Sequence, residues 1–217
     1  MIAGAGKRRL TAPRATAVAG ILFALLFTSS VVLVRTAMPG DLSGGIDWVE
    51  QGERQIATAL SLMPFAGIAF LWFIGVIRDR LSEVEEHFFS TVFLGSGLLF
   101  LAMVFVSMAI VGGILSSVNA KSDELLQPDI IIFGRAIMLQ ISNVYALRMA
   151  GVLMTSLGTV WLRGHLMPRW LVVVTYLLAL LLLLITSLSV WVALIFPGWV
   201  LFISIFILVV DLRKPTG

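Results

Sequence analysis

Three polar side chains stand close together in an otherwise apolar stretch: Asn143, Tyr145 and Arg148. A guanidinium group inside a membrane is costly unless it faces protein, a cavity or a lipid head group. The partners that suit it are a carboxylate, a helix C-terminal carbonyl, a lipid phosphate or an anionic ligand. We therefore take Arg148, with Asn143 and Tyr145 beside it, as the candidate contact for a ligand or a lipid. The alternative is that Arg148 reaches the membrane surface or pairs within the protein.

The sequence has no combination of residues typical of a catalytic, cofactor or metal site. The motif Gly95-Ser96-Gly97 would need a base inside the membrane to act as a hydrolase, and His87 and His165 are the only histidines, both expected in loops. Glu83 and His87 have helical i, i+4 spacing, but such a pair without further ligands is more typical of a solvated loop. The chain has no cysteine, which excludes a disulfide and a thiolate nucleophile. We expect no catalytic residue, no cofactor and no metal.

The elements that position these residues are defined by where charge is absent. Five long stretches contain no Asp, Glu or Lys, and their only charged residues are Arg135 and Arg148; they are 15–34, 57–77, 88–115, 131–162 and 170–210. The whole chain is 59% hydrophobic and 12% charged, with a mean hydropathy of +1.05. A soluble domain of this composition could not cover its surface with polar groups. The pattern indicates a membrane protein.

Each crossing of a bilayer needs about 20 apolar residues as a helix. The fourth stretch is longer than that, so we place its span at 143–162 and interpret 129–142 as an interfacial or protein-packed extension of the same helix. The last stretch would form a single helix of about 60 Å, twice the hydrocarbon thickness, so it must fold back, and we expect a hairpin at its most polar point, 186–189. The prediction is an all-α, single-domain bundle over 1–217 with six spans, at 15–34, 57–77, 89–115, 143–162, 170–186 and 190–210.

Orientation follows from the distribution of Lys and Arg in short loops, which stay on the cytoplasmic side. Ten such residues fall on one side of the six spans: Lys7, Arg8, Arg9, Arg14, Arg78, Arg80, Arg163, Arg169, Arg213 and Lys214. The other side has Arg35, Arg54 and Lys121 against seven acidic residues. The tails 1–14 and 211–217 are therefore both expected in the cytoplasm. The basic residues indicate membrane orientation and do not indicate a nucleic-acid partner.

The basic N-terminal segment Lys7-Arg8-Arg9, followed by an apolar run, is also typical of a signal peptide. Here the apolar run has the length of a full span, and Met38-Pro39-Gly40 follows it where a small-x-small cleavage site would be expected. We therefore favour an uncleaved first span.

Two prolines are candidate helix kinks, Pro64 in span 2 and Pro197 in span 6. Proline removes a backbone donor and clashes with the preceding turn. Kinked helices recur in transporters, where they open cavities, but proline is also common in ordinary membrane helices.

Small residues indicate where helices approach closely. In spans 3 and 4 they are Gly95-Ser96-Gly97, Gly112-Gly113, Gly151, Thr155 and Gly158. We therefore expect a compact bundle with spans 3 and 4 inside it.

Four segments of the chain look familiar: 69–81 (AFLWFIGVIRDRL), 91–103 (TVFLGSGLLFLAM), 146–152 (ALRMAGV) and 162–171 (LRGHLMPRWL). They resemble a group of uncharacterised polytopic membrane proteins of high-GC Gram-positive bacteria. The resemblance covers most of the chain from span 2 onward, and it implies a six-span bundle in a bacterial cytoplasmic membrane. That group has no assigned activity, so the resemblance implies no functional residue.

Three classes of function remain open. The favoured class is a non-catalytic accessory or regulatory membrane protein that binds lipid, a protein partner or further copies of itself through small-residue helix faces. The second is a small-molecule or ion transporter or channel, suggested by the two prolines and Arg148, although carriers coupled to protons commonly have carboxylates inside the membrane and none is present here. The third is a lipid-modifying enzyme, which would need acids or histidines clustered at the membrane surface.

Overall fold

The computed structural model describes residues 12–38, 47–81, 87–120, 128–165, 167–184 and 190–212. In this part of the chain everything except short turns is helical, as the all-α prediction requires. The α-helices of the described segments are α1 (Ala12–Ala37), α2 (Asp47–Gln51), α3 (Glu53–Leu81), α4 (His87–Asn119), α5 (Pro128–Gln140), α6 (Leu147–Arg163), α7 (Arg169–Leu184) and α8 (Ile195–Leu212). A π-helical turn, Ile141–Ala146, joins α5 to α6, and a 3₁₀ segment, Val190–Leu194, leads into α8.

Within the described residues, five helical segments are long and apolar enough to cross a membrane: Arg14–Ala37, Trp48–Asp79, Phe88–Asn119, Asp129–Arg163 and Trp191–Leu212. The sixth apolar helix, α7, is shorter. It ends at Leu184, and the next helical segment begins at Val190, so the long apolar stretch at the end of the chain is divided between two helices. The hairpin expected at 186–189 lies outside the described residues.

The fourth apolar stretch forms one long helix that includes the expected extension. Helices α5 and α6 continue into each other through the π turn, from Asp129 to Arg163. One side of α5 packs against α4, with Ile131 and Met138 buried there. Its opposite side is open, and Phe133 is 67% exposed. The extension is therefore packed against protein on one side only.

The helices pack as a chain of neighbours. Helix α1 lies between α3 and α8, α4 lies between α3 and α6, and α7 packs against α6. The arrangement has two ends, which we name after two arginines of α1. The Arg14 end contains the N-terminus of α1 and the C-termini of α3, α6 and α8. The Arg35 end contains the C-terminus of α1, the start of α3, the end of α4 and helices α2 and α5.

The first helix is more central than the sequence suggests. About 44% of its most apolar segment is buried, against 33% for that of α4. Helix α6 is also well buried, because ten of its 17 residues are buried. The expectation that spans 3 and 4 lie inside the bundle therefore agrees with α6, whereas α4 is less buried than α1. The physical reason for the lower burial of α4 is that two of its small residues face open space. A Cβ placed on Gly95 or Gly113 would meet nothing within 4 Å. Gly97 and Gly151 do lie against neighbouring side chains, Leu153 and Leu183 respectively.

Helix α1 has close neighbours on both sides at Gly20. A Cβ there would overlap Ser204 Oγ of α8 and would lie 2.9 Å from Phe73 Cδ2 of α3. Gly20 lies midway between Thr16 and Ala24, each 2% exposed, and the three form a small-xxx-small pattern. That pattern permits close backbone approach between membrane helices.

We predict that Gly20→Ala destabilises the bundle, whereas the same change at Gly95 does not. The added methyl group at position 20 has no space, and overpacking of this kind costs about 1–3 kcal/mol. At Gly95 the methyl group meets no neighbour, and alanine favours a helix over glycine by up to about 1 kcal/mol. Thermal unfolding of both variants in detergent measures the difference. Equal shifts for the two would contradict the packing described for α1.

Candidate functional site

The residues singled out in the sequence lie at or beside the π turn between α5 and α6. Asn143 and Tyr145 belong to the turn itself, and Arg148 is in the first turn of α6. Ser142 Oγ lies 3.4 Å from the carbonyl oxygen of Leu139. A serine hydroxyl that bonds back to its own helix competes with the regular backbone pattern. Single π turns of this type are frequent at functional sites.

Asn143 holds an arginine of another helix. The Arg35 guanidinium, in the last turn of α1, donates through Nη2 to Asn143 Oδ1 at 2.7 Å. This distance is typical of a strong, charge-assisted hydrogen bond. Both side chains are half-buried. The contact joins α1 to the α5–α6 helix at the Arg35 end of the bundle.

Arg148 and Tyr145 do not take part in this contact. Tyr145 is 52% exposed, so most of its ring faces outward. Arg148 is half-buried, and within the described part of the chain its guanidinium makes no hydrogen bond or ion pair. The structure thus connects Asn143 to Arg35, for which the sequence analysis predicts only a position on the outer side of the membrane. Arg35 could have been identified from the sequence, because it directly follows an apolar run of span length and so can lie in the last turn of the helix.

A small cavity adjoins the Arg35–Asn143 contact. Its volume is about 50 Å³, which is enough for at least one water molecule. Of the residues that the structure describes, three polar side chains line it, Arg35, Ser107 and Ser142, and the other described walls are apolar, including Phe27 and Phe100. Ser107 Oγ donates to the carbonyl oxygen of Met138 at 2.9 Å, so its proton is already in use. The guanidinium is therefore the main hydrogen-bond donor at this cavity.

A second arginine lies at the same end of the bundle. Arg135 of α5 is only 4% exposed, and its guanidinium carbon lies 5.9 Å from the centre of the Trp48 ring of α2. That distance is within the range of a cation–π interaction. Arg135 thus places a second arginine, on α5, at the Arg35 end of the bundle.

Beyond the cavity, phenylalanine side chains fill the middle of the bundle. They are Phe23 and Phe27 of α1, Phe70 of α3, Phe100 of α4 and Phe196 of α8. Phe23 and Phe70 have ring centres 4.7 Å apart, and so do Phe100 and Phe196. We call these five residues the phenylalanine cluster. Each is at most 5% exposed, so the space between these four helices is closed by aromatic packing.

The two prolines lie in different settings. Pro64 is inside α3, which is helical on both sides of it. Pro197 is the third residue of α8, and α8 begins directly after the 3₁₀ segment. A proline in a first helical turn costs little, because the backbone N–H groups there have no partner within the helix. The position of Pro197 thus coincides with the change from 3₁₀ to α-helix.

The remaining sequence candidates do not form a second site. Ser96 Oγ donates to the carbonyl oxygen of Val92 in its own helix at 2.7 Å. In the described residues no three His, Cys, Asp or Glu side chains come together in a way that could hold a metal. Glu83 and the side chain of His87 lie outside the part of the chain that the structure describes.

The described part of the chain is thus a helical bundle with five long apolar helices, compatible with a multi-pass membrane protein. Comparisons of the chain with protein-family models, with curated proteins and with solved structures find no match.

We predict that Asn143→Ala destabilises the protein by about 1.5–3 kcal/mol, because it removes a charge-assisted hydrogen bond from a half-buried arginine. The matched control is Asn119→Ala. Asn119 also makes a side-chain hydrogen bond, from Nδ2 to Glu53 Oε1 at 3.0 Å, but at an exposed position. Loss of an exposed contact changes stability by no more than about 0.5 kcal/mol. Thermal unfolding in detergent compares the two variants, and equal losses would argue against a special role for the Arg35–Asn143 contact.

Proposed function

We propose that this chain is a non-catalytic, multi-pass protein of a bacterial cytoplasmic membrane that binds lipid or a protein partner as an accessory or regulatory subunit. The observation that carries the proposal is the phenylalanine cluster. Transport requires a path for water or substrate between helices, and here four helices meet on tightly packed rings. The cavity beside the cluster is small. The guanidinium group at this cavity favours the binding of an anionic group, whereas the small volume of the cavity does not favour passage of a substrate through the membrane.

The proposal includes six crossings with both ends of the sequence in the cytoplasm. Helix α7 is the sixth crossing, although it is only 16 residues long. At 1.5 Å per residue it would extend about 24 Å, somewhat less than the hydrocarbon thickness. Short spans are accommodated by local thinning of the bilayer. An even number of crossings also agrees with the distribution of Lys and Arg outside the spans, since it puts ten of these residues on one side of the membrane and three on the other.

The orientation can be tested directly because the natural chain has no cysteine. We expect Ser116→Cys, at the Arg35 end of α4, to react with a membrane-impermeant maleimide added to intact cells. His165→Cys, in the turn after α6 at the Arg14 end, should react only after the membrane is opened. Both positions are exposed at the bundle surface, so burial does not explain a difference between them. Labelling of both from the outside would contradict the six-span topology.

We expect the purified protein to retain phospholipid or a protein partner and to conduct no ions. Native mass spectrometry from a mild detergent measures retention. Liposomes containing the protein, tested for potassium, chloride and proton flux, measure conduction against protein-free liposomes. Flux above the protein-free control would refute the non-transport function. The binding function would be refuted if the purified protein retained neither lipid nor a protein partner and also failed to bind added phospholipid.

A further inference from the structure

The Arg35 guanidinium has donor capacity that the described chain does not use. An arginine side chain carries five N–H donors in a planar fork that fits carboxylate and phosphate oxygens. Among the described residues, its hydrogen-bond partner is Asn143 alone, through one of the two Nη atoms. The same guanidinium lines the cavity at the Arg35 end. The unused donors therefore lie next to a space that another molecule can enter.

The contact with Asn143 positions the guanidinium without neutralising it. The amide oxygen of Asn143 accepts a hydrogen bond but carries no net charge. Among the described residues, the cavity walls offer no carboxylate, since their polar members besides Arg35 are the hydroxyls of Ser107 and Ser142. In a mostly apolar environment an uncompensated charge acts more strongly than in water. The site thus favours an anion.

The position of the cavity along α1 points to the kind of anion. Arg35 is in the last turn of α1, at the end of an apolar segment of membrane-spanning length. This is the level at which phospholipid phosphates lie. Phe27 and Val31, further along the same helix, make the deeper wall of the cavity apolar.

We propose that the cavity formed by α1, α4 and the π turn is a phosphate-binding site in which Arg35 is the main ligand and Asn143 positions it. The phosphate belongs to an anionic lipid or is free inorganic phosphate. This inference rests on the proposed binding function and specifies the chemistry of the bound group.

The test uses the full-length protein in detergent. Native mass spectrometry measures binding of added phosphatidylglycerol, with phosphatidylcholine as the neutral lipid. A separate arm measures the shift of the thermal unfolding midpoint by inorganic phosphate against chloride at equal ionic strength. For a lipid ligand we expect phosphatidylglycerol to bind at least about tenfold more tightly than phosphatidylcholine, with no shift from inorganic phosphate. A phosphate-dependent shift that Arg35→Gln abolishes would instead identify free phosphate, with the same site.

Two variants test the site in different ways. Arg35→Gln removes the ligand group, whereas Asn143→Asp keeps the contact and places a carboxylate on the guanidinium, so that the native anion no longer binds. Both should lose the preference for phosphatidylglycerol or the response to phosphate. Asn143→Asp should do so with no loss of thermal stability, which separates binding from folding. Arg54→Gln removes an exposed charge from the same end of the bundle and should bind as the native protein does.

The failure of this inference differs from the failure of the proposed function. If Arg35→Gln and Asn143→Asp bind anions as well as the native protein, the site is wrong. If only Arg148→Gln abolishes lipid binding, the anion is bound at Arg148, the proposed function stands and the present inference is refuted. If the native protein binds neither lipid nor phosphate nor a partner, both are refuted.

Discussion

Aromatic packing among α1, α3, α4 and α8 is the interaction on which the rest of this bundle depends. Lipid tails are as apolar as the side chains they would replace, so membrane helices associate through close packing more than through burial from water. The single ring of Phe70, for example, contacts rings from α1, α4 and α8. Large rings at the centre require small residues elsewhere, and Gly20 supplies one where α1 passes between Phe73 and Ser204. The spacing of the helices is therefore set both by the size of the rings and by the absence of a side chain at Gly20.

The cavity of the candidate site lies where the aromatic packing of the phenylalanine cluster ends. Phe27 and Phe100 belong to the phenylalanine cluster and also form walls of the cavity. Towards the Arg35 end the rings give way to Ser107, Ser142 and the Arg35 guanidinium, and the helices leave a gap. Arg35 is further stabilised by its own helix, because the C-terminal end of a helix carries partial negative charge. The polar contact can thus exist inside an apolar bundle although no carboxylate of the described residues lines the cavity.

The helical class and most of the spans could be predicted from the sequence, because apolar length is a one-dimensional property that the bilayer imposes directly. The long helix through 129–163 followed from the same reasoning. The interhelical contacts could not be predicted in this way. The partner of Asn143 is 108 positions away in the chain, and neither residue reveals which face of its helix meets the other. The same limit explains why Gly95 was expected at a packing face, although it meets no neighbour, whereas Gly20 faces two neighbouring helices.

Arg14 and Arg35, at opposite ends of α1, have contacts of different charge. At the Arg14 end, Arg14 Nε lies 3.2 Å from a carboxylate oxygen of Asp211, so the charge of that contact is cancelled within the chain. At the other end, Arg35 is held by an amide, which does not neutralise its charge. An ion pair across α1 and α8 needs no further ligand. A half-buried guanidinium group held by an amide keeps its full charge in an apolar setting, where that charge acts strongly, and this is why anion binding should be sought at the Arg35 end.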